Sequence, residues 1–177
     1  VYKRQVVISV ISEFMNEGTT TNYNAYKTNL GIDSSFMIRF DNPFSNLDNA
    51  VYNKVAVINT QLAVLGKVLE TIHTDNDSAA FNVSNKILSS SSEISFGDTT
   101  FIKDFLTNYD ADFSPSSQQL IDLSSGISAY MQKINANSSN SHSHFMQVGV
   151  SELSTLMSEV MSGTATSTEL DKFCLLY

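Results

Sequence analysis

The segment LDNAVYNKVAVINTQLAVLGKVLETI, residues 47–72, carries the strongest secondary-structure signal of this chain. Apolar residues recur along it at spacings of three or four, which is the period of one face of an α-helix. That face consists of Leu47, Val51, Val55, Ile58, Leu62, Leu65, Leu69 and Ile72. Further apolar residues lie beside it: Ala50, Val57, Ala63, Val64 and Val68. The pattern predicts one long helix over about 46–73 that packs against more than one neighbour.

Shorter helices are predicted before the long one. The apolar residues of 7–15 predict a helix that ends near Gly18. A second helix follows Asn22, a suitable N-cap, and stops at Leu30-Gly31, where the glycine suits a C-terminal cap. Residues 33–44 contain the first proline of the chain and predict an ordered loop.

Shorter helices are also predicted after it. One covers 79–88, and another covers 98–106 with Asp98 as its cap. Ser114-Pro115 matches the N-cap and first position of a further helix. The apolar stripe of that helix consists of Leu120, Leu123, Ile127, Tyr130, Met131 and Ile134.

The remaining segments set the domain organisation. Residues 135–144 are rich in Ser and Asn and predict a linker between a bundle domain over 6–134 and a helical segment over 145–173. No stretch sustains an alternation of apolar and polar residues with a period of two. The predicted fold class is therefore all-α, a bundle of six or seven helices.

The two ends of the sequence, VYKRQ (1–5) and CLLY (174–177), match translations of opposite strands of one transposon end used to prepare sequencing libraries. We interpret both ends as adapter sequence, which is set aside in reasoning about the fold. The genuine segment is then expected to cover 6–173, as part of a longer bacterial protein. The only cysteine, Cys174, falls outside it.

Composition limits the classes of partner. With 18 acidic and 10 basic residues, the chain has a formal net charge of −8. Such a chain repels phosphate, so no nucleic-acid partner is expected. No apolar run reaches the roughly 18 residues of a spanning helix, so no membrane insertion is expected. The 27 Ser, 16 Asn and 14 Thr are typical of secreted or cell-surface bacterial proteins, and one of these locations is expected.

The first two-fifths of the chain carry a family resemblance. Its motifs, in order, are VISVIS at 7–12, LGI at 30–32, FDNPF at 40–44, and the Lys54-to-Gln61 spacing within the long helix. This order resembles a helical segment of very large calcium-dependent, adhesin-like surface proteins of marine bacteria, which carry RTX, VCBS or cadherin-type repeats. The chain differs from that family in lacking a proline in the first run and in inserting Asn42 before Pro43.

The resemblance implies a host protein with tandem adhesin-like or calcium-binding repeats, exported to the cell surface or the medium. It implies that the partners of this segment are other domains of the same large chain. It carries over no catalytic residues.

Two polar stretches place oxygen ligands at alternating positions, as a calcium loop does. Asn108, Asp110 and Asp112 form the better candidate, and Asp75 and Asp77 form the weaker one. The helix–loop–helix type of calcium site requires glycine at position six, which neither stretch provides. The same residue types make helix-connecting turns, so calcium, the one cofactor considered, and a plain turn both stay open.

The sequence contains few signals for a histidine metal site or for catalysis. His142 and His144 lie in the polar linker and are interpreted as solvated, with metal ligation as the alternative. The sequence has no Gly-x-Ser-x-Gly motif and no glycine-rich phosphate loop. We therefore expect no enzyme. The alternative is a helical part of an enzyme whose active site lies elsewhere.

Aromatic residues are concentrated around the 33–44 loop, namely Tyr23, Tyr26, Phe36, Phe40, Phe44 and Tyr52. One interpretation is that their rings fill the junction between the early helices and the long one. The alternative is an exposed patch of Tyr23, Tyr26, Phe40 and Tyr52 that binds a glycan or a cell-surface partner, because tyrosine offers both a flat apolar face and a hydroxyl.

These observations predict a non-catalytic helical structural or interaction module of a large secreted or cell-surface adhesin-like protein. The alternative is an extracellular helical domain that binds calcium or a small ligand.

Overall fold

A computed structural model describes residues 9–17, 23–71, 76–109, 113–136 and 142–165. These residues form seven α-helices and no β-strand, which confirms the predicted all-α bundle. The helices are α1 (Val10–Glu17), α2 (Tyr23–Asn29), α3 (Ala50–Glu70), α4 (Asn76–Ser89), α5 (Thr99–Thr107), α6 (Ser117–Ala136) and α7 (His142–Ser162). Within the described ranges, the helices are too short or too polar to cross a membrane.

The long predicted helix is α3, and it forms the centre of the bundle. It begins at Ala50 rather than near 46, because the Asn49 side chain accepts hydrogen bonds from the Val51 and Tyr52 amides and so caps the first turn. It ends at Glu70, earlier than the predicted 73. Every residue from 55 to 62 is buried. A helix buried on all sides needs neighbours on all sides, and α3 contacts α1, α4, α6 and α7.

Three consecutive polar residues of α3 are buried, and each bonds a different helix. The Asn59 Oδ1 accepts from the Ile11 amide of α1 at 3.3 Å. The Thr60 hydroxyl lies 2.7 Å from the His142 Nδ1 of α7. The Gln61 Nε2 donates to the Met131 carbonyl of α6 at 3.0 Å. Buried polar groups are costly unless bonded, and these three are used to join α3 to its neighbours.

The turn after α2 confirms the predicted glycine cap. Gly31 has a φ of 61°, in the left-handed region that glycine tolerates. Its amide donates to the Thr28 carbonyl, and the Ile32 amide donates to the Lys27 carbonyl. This is the Schellman pattern, and the burial of Ile32 supplies its usual apolar contact.

The caps of the later helices are partly as predicted. Asp98 caps α5, with its carboxylate accepting from the Thr100 and Phe101 amides. The prediction of Ser114-Pro115 as the start of the next helix was wrong, since α6 begins at Ser117. A capping box explains the later start, because the side chains of Ser116 and Gln119 each accept from the backbone amide of the other.

The two last helices lie on either side of the predicted linker. Helical structure occupies both of its ends, because α6 continues to Ala136 and α7 begins at His142. Residues 137–141 lie outside the described part. α7 packs against both α3 and α6, with Leu153, Leu156 and Met157 buried.

Gln119 joins the start of α6 to the end of α7. Besides its capping bond, its Nε2 donates to the Val160 and Met161 carbonyls at 2.8 and 3.2 Å. We expect Gln119→Ala to lower the free energy of unfolding by about 1–2 kcal/mol, since it removes a cap and a link between helices. Gln119→Glu keeps the capping acceptor but has no donor for α7, so about half of that loss is expected from it. Urea unfolding of the three proteins measures both values, and equal losses would contradict the double role.

Candidate functional site

The predicted calcium residues are only partly within the described structure. Asn108 is the C-cap residue of α5, and its Nδ2 donates to the Asp104 carbonyl at 2.8 Å. Asp110, Asp112 and Asp75 lie outside the described residues, as does the side chain of Asp77. Among the described residues, no three His, Cys, Asp or Glu side chains come together as a metal site would require. The calcium site stays a prediction.

The four residues of the predicted aromatic patch occupy different environments. Tyr26 lies in the core, where its hydroxyl donates to the Ser84 Oγ at 2.6 Å. Burial raises the pKa of the Tyr26 phenol, which therefore keeps its donor proton. Tyr23 is half-buried beneath the Arg39 guanidinium, and the ring of Tyr52 packs edge-on against Phe36. Phe40 alone of the four is exposed, so most of these rings fill the junction between the early helices and α3.

A different group of apolar side chains is exposed on the same loop. Met37, Phe40 and Phe44 have 40%, 41% and 37% of their surface accessible, within eight residues of one another. Scattered exposed apolar residues are ordinary, but several on one loop indicate a contact surface. We call these three residues the loop surface.

Internal hydrogen bonds brace the loop that carries them. The Lys27 ammonium donates to the Ser34 and Phe36 carbonyls, and the Asp41 carboxylate accepts from the Met37 amide. The Asn42 Oδ1 accepts from the Phe44 amide. The loop therefore presents its apolar side chains on a braced backbone, which lowers the entropy lost when a partner binds.

The prediction that His142 is solvated was wrong. This histidine is buried at the start of α7, and the ring of Phe44 meets it edge-on at 5.2 Å. The Thr60 hydroxyl lies within hydrogen-bond distance of the Ala56 carbonyl, at 2.8 Å, and of the His142 Nδ1, at 2.7 Å. His144 is exposed, as predicted. No apolar spacing marks His142 in the sequence, because the polar residues before it resemble a linker and not the start of a helix.

A cleft lies between α3, α6 and the 90–98 segment. Its cavity measures about 300 Å³. Its walls include the apolar side chains of Leu30, Val57, Ile58, Ile94, Phe96 and Met131. Lys54, Gln61, Glu93 and Gln132 supply most of its polar groups. An adjoining cavity of about 480 Å³ shares Lys54, Val57 and Asn135 with it, so the cleft continues along α3 toward Asp48.

The 90–98 segment is held at two points, which fixes the width of the cleft. In its middle the Ile94 backbone amide donates to the Asn29 carbonyl at 2.7 Å. Near its end the Gly97 carbonyl accepts from the Ser128 hydroxyl and from the side-chain amide of Gln132, each at 2.7 Å. The Gln132 side chain lies so close to Gly97 that a Cβ there would collide with it.

The polar groups of the cleft have a defined arrangement. The Lys54 ammonium and the Glu93 carboxylate form an ion pair of 2.7 Å, with both side chains about half exposed. Gln61 has only 6% of its surface accessible. The nitrogens of Gln61 and Gln132 donate to backbone carbonyls, while their oxygens accept no hydrogen bond from the described part of the chain. The cleft thus offers one cation, one anion and two oriented acceptors.

Lys54 and Gln61, which carry the spacing quoted in the sequence, lie two turns apart on α3 and line the same cleft. Sequence reasoning did not identify Glu93, Gln132 or the cleft itself, because these groups belong to segments far apart in the chain. Comparison with family models, with curated proteins and with solved structures finds no match to this chain.

Proposed function

We propose that this chain is a non-catalytic helical interaction module that contacts its partner through the loop surface. The exposure of Met37, Phe40 and Phe44 on a braced loop is the observation that carries the proposal. Aromatic residues and methionine are enriched at the centre of protein–protein interfaces, where a few anchors carry most of the binding energy.

The proposed host is a large secreted or cell-surface adhesin-like protein, and the proposed partner is a neighbouring domain of that same chain. The motif order over residues 7–70 and the Ser/Asn/Thr-rich composition support this context. An acidic chain with a net charge of −8 favours contact through apolar groups over contact with another acidic surface.

The test is binding of the chain to the domain that adjoins it in the complete gene, measured by isothermal titration calorimetry. The double variant Met37→Ser/Phe40→Ser is expected to weaken binding at least about tenfold, the loss of one or two apolar anchors. Phe81→Ser/Ile121→Ser is the matched control, since these residues are equally exposed on α4 and α6. Equal binding by both variants, or no binding by the wild-type chain, would reject the proposal.

A further inference from the structure

We propose that the cleft between α3, α6 and the 90–98 segment binds a free α-amino acid in its zwitterionic form. This site is separate from the loop surface and does not depend on the proposed function. The inference rests on three properties of the cleft: its size, its paired charges and its oriented acceptors.

The size of the cavity matches a small ligand. About 300 Å³ lies at the lower end of the range for small-molecule sites. Apolar and polar side chains line it in equal number, and its exposed surface is more polar than apolar. The hydrogen bonds that hold the 90–98 segment keep this space open without a ligand.

The charges of the cleft favour a zwitterion over an ion of one sign. A purely anionic ligand that bound Lys54 would leave the Glu93 carboxylate without its cation, and a cationic ligand would do the reverse to Lys54. A zwitterion separates the pair and supplies a partner to each member. Separating them costs little, because an ion pair this exposed contributes at most about 1 kcal/mol.

The oriented acceptors match the ammonium group of such a ligand. An ammonium group has three donors and no acceptor. In the proposed complex the Glu93 carboxylate accepts one of them, and the amide oxygens of Gln61 and Gln132 accept the others. The nitrogens of both amides are already bound to the Met131 and Gly97 carbonyls, so the oxygens are the ends of these amides that remain for a donor.

A small apolar area beside the polar groups meets the side chain of the ligand. Val57, Ile94 and Met131 line the cavity there, with 5%, 9% and 0% of their surface accessible. Burial against so little accessible apolar surface predicts only a severalfold preference for leucine over glycine, in which the charged groups are the same.

The experiment is calorimetric titration of the whole chain with L-leucine, N-acetyl-L-leucine, L-leucinamide and glycine. Binding is expected for leucine and, up to severalfold weaker, for glycine, whereas binding of N-acetyl-L-leucine and L-leucinamide is expected to be at least tenfold weaker than that of leucine. N-acetylation removes the ammonium, amidation removes the carboxylate, and glycine has no apolar side chain. No heat with leucine at millimolar concentration, or equal affinity for all four compounds, would overturn the proposal.

Variants locate the site. Lys54→Met and Glu93→Gln are each expected to weaken leucine binding at least tenfold. Lys67→Met is the matched control, because Lys67 lies on the same helix and forms an exposed ion pair with Glu70 at the same 2.7 Å. Leucine binding that survives Lys54→Met and Glu93→Gln would place the ligand elsewhere and overturn the assignment. Circular dichroism of each variant checks that the helices are retained.

Discussion

Replacement of Leu62 by alanine is expected to lower the free energy of unfolding by about 3–4 kcal/mol. Leu62 lies in the middle of α3 with none of its surface accessible, in the stretch that is buried on all sides. The substitution removes three buried carbons and leaves a cavity that helices on several sides of α3 cannot all close at once. Leucine-to-alanine changes at such sites cost about 3–5 kcal/mol. Urea unfolding followed by circular dichroism measures the change.

The matched control belongs to the same apolar stripe. Val51→Ala removes carbons from a half-buried position in the first turn of α3, so a loss of only about 1 kcal/mol is expected. Equal losses in the free energy of unfolding for the two substitutions would contradict the conclusion that the buried middle of α3 contributes most to the stability of the bundle.

Gly149→Ala is expected to destabilise the protein by about 2 kcal/mol, against the usual preference of helices for alanine. Gly149 is buried in α7 beneath the side chain of Tyr130 from α6. A Cβ at this position would collide with the ring and hydroxyl of Tyr130. The ring would have to move, which disturbs the hydrogen bond from the Tyr130 hydroxyl to the Phe145 carbonyl. Overpacking of this kind costs about 1–3 kcal/mol.

A double-mutant cycle isolates the cause. In a Tyr130→Leu background the collision is gone, and Gly149→Ala should then stabilise the protein by up to about 1 kcal/mol through helix propensity alone. Thermal or urea unfolding of the four proteins gives the coupling between the two positions. The same sign of effect in both backgrounds would show that the close approach of α6 and α7 at Gly149 has no part in it.

The helical elements were predictable from local signals. The three-and-four spacing of α3, the Asp98 cap and the Gly31 stop each act within a few residues, so the sequence alone reports them. The errors also have local causes. The apolar spacing of α3 continues back to Leu47, but Asn49 caps the helix and fixes its start at Ala50. Near α6 both Ser114 and Ser116 resemble caps, and the structure selects Ser116, which forms the capping box with Gln119.

The candidate sites were less predictable, for a different physical reason. The spacing of apolar residues shows which face of a helix is buried, but it does not show which other segment covers that face. The sequence therefore suggested aromatic residues near the 33–44 loop without separating the buried Tyr26 from the exposed Phe40. The cleft depends on Lys54, Glu93 and Gln132, which pairing between distant segments brings together. No spacing rule reports such a pairing.

The row of Asn59, Thr60 and Gln61 has a consequence for how unique the fold is. A central helix with apolar residues on every side could rotate about its axis and still pack apolar side chains against apolar neighbours. A turn by one residue, however, would carry these three groups away from Ile11, His142 and Met131 at once. Each would then sit in a low-dielectric interior without a bond. The loss of all three hydrogen bonds raises the energy of every rotated packing. An energy gap therefore separates the native arrangement from these competitors.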